Sequence, residues 1–136
     1  MSGDLALLKE KLAGGAVLAL MTESGVVTRG ESGIKPLFEF VKAGGSAFAA
    51  ADKIVGRAAA FLYVACKTRE VYAEVLSAGA AEIFDRFGIV YCYSVLTGNI
   101  INRKGDGLCP MEKAVENVSG PDEAVIKIEA ALEKLK

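Results

Sequence analysis

A chain of 136 residues, 52% of them hydrophobic, can bury a single core without disulfides or a structural metal. Its 16 basic and 17 acidic residues give a net charge of −1, which leaves no basic field for a polyanion and excludes general nucleic-acid binding. Three widely spaced cysteines, Cys66, Cys92 and Cys109, are not a disulfide framework and suit a reducing cytoplasm, and no apolar run reaches the ~18 residues of a membrane span. The absence of histidine removes the commonest general base and the commonest zinc ligand together.

In chain order, Leu5, Leu8 and Leu12 recur at helical spacing over residues 4–12, and Gly14-Gly15 ends that helix. Residues 16–22 form a continuous apolar run, the pattern of a strand buried on both faces. Glu23-Ser24-Gly25 is a turn, and residues 26–29 return as the second arm of a hairpin. Pro36 suits the first turn of a short helix carrying Leu37, Phe38, Phe40 and Val41. The spacing of Ile54, Ala58, Phe61 and Ala65 predicts a helix whose core is residues 51–62, with Asp52 near its positive end. In that helix Lys53 and Arg57, four apart, share a face.

Val71, Ala73 and Val75 alternate with Tyr72 and Glu74 in a strand over residues 70–76. Ser77 caps a helix over residues 78–87, and Gly88 stops it. Residues 89–95 are the last strand. A helix over residues 109–118 follows, and Pro121 opens a terminal helix with a stripe of Val125, Ile128, Leu132 and Leu135. Strands joined through helices imply parallel neighbours, and the hairpin makes the sheet mixed. The expected architecture is one α/β domain over residues 1–136, a three-layer α/β/α sandwich with its core at about 15–118 and a C-terminal helix at about 121–135.

Special residues are densest in Asn102-Arg103-Lys104-Gly105-Asp106-Gly107-Leu108-Cys109-Pro110-Met111-Glu112. Pro110 at the first helical position makes Cys109 the N-cap, with Glu112 in a capping-box position. A thiolate there faces the helix's positive end, which favours a reactive thiol; a plain capping residue is the alternative. Arg103, Gly105, Asp106 and Gly107, with Asn102 beside them, read as an anion site built from backbone amides and cations, or as an ordinary Gly-Asp-Gly turn. Asp52, Lys53 and Arg57 supply a facing charged surface.

The segments Ala51-Asp52-Lys53-Ile54-Val55-Gly56-Arg57-Ala58-Ala59-Ala60 and Asn102 to Glu112, with Gly33-Ile34-Lys35-Pro36-Leu37, resemble a small prokaryotic family of unknown function grouped with the cytidine-deaminase-like fold. The resemblance implies that fold and no activity. Deaminases of the fold hold zinc through a His-x-Glu or Cys-x-Glu on one helix and Pro-Cys-x-x-Cys on the next. The matching stretches here are Ala51-Asp52-Lys53 and Ser77-Ala78-Gly79-Ala80-Ala81, which carry no such set. No metal or cofactor is therefore expected. The sequence points to a domain that binds a small anionic or nucleotide-like ligand near Arg103–Cys109, with thiol chemistry at Cys109 as an extension. The alternative is a non-catalytic scaffold, a homodimer assembled through the motif loop or the terminal helix.

Overall fold

A computed structural model describes residues 2–98 and 109–135. Five strands form one sheet: β1 (Leu18–Thr22), β2 (Gly25–Arg29), β3 (Ala49–Val55), β4 (Glu70–Ser77) and β5 (Val90–Thr97), in the order β2-β1-β3-β4-β5. The hairpin β1–β2 is antiparallel and β1 runs antiparallel to β3, whereas β3, β4 and β5 are parallel neighbours, so the sheet is mixed as expected. Among the described residues six helices join and flank the strands: α1 (Gly3–Ala13), α2 (Lys35–Lys42), α3 (Arg57–Ala65), α4 (Ala78–Phe87), α5 (Pro110–Ala114) and α6 (Pro121–Lys134).

The two sheet faces are covered unequally. On one, α1 packs Leu5, Leu8 and Leu12 against Ala19, Ala49, Ala51 and Tyr72, with no other helix among the described residues in that cluster. On the other, α3 and its neighbours build the larger core around Phe61, Leu62, Tyr63, Ile83, Phe84 and Ile128. Local signals set most boundaries. Ser77 Oγ accepts from the Ala80 amide at 3.0 Å and starts α4, and Gly88 ends it with φ 74°, a left-handed value that favours glycine. The terminal stripe is shorter than its spacing implies: Ile128 is buried, whereas Leu135 is the C-cap of α6 and is exposed.

The helix expected at residues 51–62 is instead a strand followed by a helix. β3 runs to Val55, Gly56 is extended, and α3 begins only at Arg57. Alanine prefers helix, and a strand buried on both faces shows no alternation, so Ala49, Ala50 and Ala51 imitate a buried helix. Their small side chains let α1 and α3 approach the sheet from opposite faces. Asp52 and Lys53 consequently lie in the strand rather than at a helix entrance, and Lys53 shares no helical face with Arg57.

Asp52 is buried under α3, where the Tyr63 hydroxyl donates to its Oδ2 at 2.6 Å. Burial pushes its carboxyl up to about 7, against hydrogen bonds from Tyr63 and from the Ile54 and Lys53 amides, which favour the charged form. Tyr63 is raised as well, by its own burial first and then by the Asp52 charge. A carboxyl raised from 3.8 to about 7 binds its proton more tightly in the folded chain. Its contribution therefore favours folding most below about pH 4 and is lost as pH climbs through about 7. We expect Asp52→Asn, which keeps an acceptor for Tyr63, to remove this dependence. Denaturant titrations from pH 4 to 8 should show the variant gaining on the wild type by up to about 4 kcal/mol. A constant difference across that range would overturn the assignment.

Candidate functional site

The parallel strands β3, β4 and β5 end side by side, and the residues that follow them line a cleft of about 380 Å³. Its walls are Arg57, Ser77, Gly79 and Glu82 from the starts of α3 and α4, Gly98 after β5, and Glu112 and Glu116 from α5 and its exit. The carboxyl edge of parallel strands is where open α/β sheets bind ligands, because helix N-termini converge there. A larger hollow of about 590 Å³ lies between the end of α1 and the hairpin, lined by Glu10, Lys11, Thr28 and Arg29. Those four side chains are all exposed, so the smaller cleft is the better-organised site.

Glu112 is the structural centre of the cleft. Gly56 caps α3 without a side chain, leaving the first amides of that helix without a local acceptor. The buried Glu112 carboxylate fills the role from α5, accepting from Arg57 N at 2.8 Å and Ala58 N at 2.9 Å. A negative charge at this end of a helix is favoured twice, by charge-assisted hydrogen bonds and by the helix dipole. Glycine at 56 is required by the same contact, since a Cβ there would run into the carboxylate. The capping box expected between Glu112 and Cys109 does not form at the side-chain level: Glu112 turns to α3, and Cys109 makes no side-chain cap.

Arg57 crosses from α3 to the start of α4. Its Nη2 donates to the Val118 carbonyl at 3.2 Å, and its Nη1 lies 4.0 Å from Glu82. Its Cγ passes 3.0 Å from where a Cβ on Gly79 would sit. Its guanidinium carbon lies 5.6 Å from the centre of the Phe61 ring, and its Nε, buried, has no hydrogen-bond partner among the described residues. Among the described residues the cleft therefore gathers one guanidinium and three carboxylates.

Of the residues singled out in the sequence, Arg57 and Glu112 meet here. Cys109 opens α5, half-buried and packed on the larger core. α5 has only five residues, so its dipole is short. Asp52 is bonded under α3 to Tyr63 and does not line the cleft, nor does Lys53. Asn102, Arg103, Gly105, Asp106 and Gly107 lie outside the described residues. Glu82, Gly98 and Glu116 escaped sequence reasoning. Each reads as an ordinary surface or turn residue, and only the meeting of α4, β5 and the exit of α5 groups them.

A family model described as a domain of unknown function (DUF1893) matches residues 7–132. Among solved structures, the chain is similar to a DUF1893 family protein, TM1506, from Thermotoga maritima. The two share 25% sequence identity with a TM-score of 0.83, over 98% of this chain and 92% of that one. No curated protein matches it.

The role of Glu112 is open to measurement. Glu112→Ala orphans two amides at the start of α3 and should cost roughly 1–3 kcal/mol of unfolding free energy. Glu112→Gln keeps one acceptor oxygen and should lose less. Equal losses in the two variants would show that the carboxylate only fills space.

Proposed function

This chain belongs to the DUF1893 family, a domain of unknown function, and we propose that it is a small-molecule-binding domain. Its ligand, anionic or nucleotide-like, lies in the cleft at the carboxyl ends of β3, β4 and β5. The observation that carries this reading is the convergence of Arg57, Glu82 and Glu116 on one cleft, with a buried Arg57 Nε that has no hydrogen-bond partner among the described residues. A guanidinium suits an anionic group, and the two unburied carboxylates suit the amino and imino donors of a base. The start of α3 is already occupied by Glu112, so an anion is received by side chains rather than by that helix end.

The cytidine-deaminase-like reading of the fold draws support from the strand order and from the two helices that begin at the cleft. Zinc chemistry does not follow from it. The residues at those helix starts, Gly56-Arg57-Ala58 and Ser77-Ala78-Gly79, offer no ligand set, and no cluster of three potential ligands occurs among the described residues. Thiol chemistry at Cys109 is the extension of the proposal; Cys109 is the N-cap of α5, three residues before Glu112, which lines the cleft.

Nucleoside monophosphates, sugar phosphates and inorganic phosphate are the probes. A binder should raise Tm by several degrees, equivalent to about 2.7 kcal/mol at a hundredfold excess over Kd. Glu116→Ala, at an exposed position, and Arg57→Lys, which keeps the charge but not the fork, should weaken the response. If no probe moves the wild-type Tm, the proposal fails. For the thiol, a bound ligand should slow iodoacetamide labelling of Cys109 while leaving Cys92 unprotected. Equal protection of both cysteines, or of neither, would remove Cys109 from the site.

A further inference from the structure

The sheet has two edges, and they are built differently. β2 is five residues long and ends in Thr28 and Arg29. β5 is eight residues long and paired only to β4 among the described residues. Residues 90–97, Val-Tyr-Cys-Tyr-Ser-Val-Leu-Thr, hold no charge and no proline. Four of its apolar side chains stand well out into solvent: Val90 at 69%, Tyr93 at 45%, Val95 at 54% and Leu96 at 50%. An open edge exposes a row of backbone donors and acceptors that another extended strand satisfies, and proteins ordinarily blunt such edges with lysine, proline or a bulge. This edge has neither of the first two, and its pairing to β4 spans the strand from Val90 to Thr97.

We propose that two copies of this chain join through β5, antiparallel, about a two-fold axis through Tyr93 perpendicular to the sheet. The strand itself argues for a second copy as the partner, because it is a near-palindrome about Tyr93. An axis perpendicular to the sheet keeps each face on its own side, so residues of like parity meet. Tyr93 then lies beside its own equivalent, Cys92 faces Ser94, Tyr91 faces Val95, and Val90 faces Leu96. Every pair joins apolar to apolar or small polar to thiol, and aromatic–β-branched neighbours are among the favoured cross-strand pairs. On the face toward α3 and α4, Tyr91 and Tyr93 already stack at 6.5 Å, and Tyr91 packs on Phe84 at 5.6 Å. On the other face, Ser94 is tied to Tyr72 by a 2.5 Å hydrogen bond, which fixes the strand for pairing. The two copies present the same patch to each other, the isologous arrangement that closes at two, and the sheet becomes a continuous ten-stranded one.

Light scattering on the purified chain should return twice the 14.2 kDa chain mass, falling toward 14.2 kDa on dilution. Val95→Lys places a charge at the seam of an exposed position. It should shift the protein to the monomer mass with an unchanged far-UV circular dichroism spectrum. A second variant reads the register without breaking the dimer. Ser94→Cys puts a thiol opposite Cys92 of the other copy, within the Cα spacing a disulfide needs. Mild oxidation should then give a covalent dimer, and adding Cys92→Ser should abolish it. A monomer mass at every concentration would overturn the proposal. So would a dimer that survives Val95→Lys and forms no cross-link.

Discussion

The contact on which the cleft end of the molecule depends is the Glu112 carboxylate seated on the first amides of α3. It joins two elements 54 and 55 residues apart in sequence. Neither end could be arranged otherwise without loss. Gly56 supplies no cap of its own, and any side chain there would displace the carboxylate. Glu112, buried, would be costly without partners and has two. The same contact holds α5 against α3 and thereby forms the cleft wall opposite α4. It also aims Arg57, whose backbone amide it binds, across the cleft to Val118 and Glu82. A helix end that could have received an external anion is instead consumed internally, and the charged side chains around it are what remains for a ligand.

A second constraint lies beneath the first. β3 is the strand that must carry α1 on one face and α3 on the other, and Ala49, Ala50 and Ala51 give both helices room. The strand then loses its simple alternation. Ala50 and Val55 both belong to the larger core although their positions differ in parity, while Ile54 between them is exposed. β4 does the same, with Val71, Ala73 and Leu76 in that core, and the two strands stay paired as Val55 meets Leu76. The Asp52 carboxyl, held by Tyr63 and by the amides of Lys53 and Ile54, sits where the phase changes. A buried acid at this point ties β3 to α3 through Tyr63 and makes that contact sensitive to pH.

What could be read from the sequence follows from which signals are local. Ser77 and Gly88 bracket α4, Pro121 opens α6, and the hairpin turn lies at Glu23 and Ser24, because caps and turns are decided by a few neighbouring residues. The parallel strands followed from the helices between them, and the hairpin made the sheet mixed. β3 was illegible because alanine's helix preference and a two-sided burial pattern produce the same string. The candidate site was legible only in part. Arg57 and Glu112 stand out as charges near helix starts, yet nothing local says that Glu112 caps a different helix from its own. Glu82 and Glu116 belong to the cleft through tertiary proximity alone.

The charge balance of the cleft narrows the chemistry it can receive. Glu112 is compensated by two amides of α3, and Glu82 lies 4.0 Å from the Arg57 guanidinium. Glu116, exposed, is left to face solvent or ligand. A simple polyanion would meet one guanidinium already engaged by Val118 and Glu82 and would be repelled by Glu116. A ligand that pairs a single anionic group with N–H donors meets complementary groups on both sides.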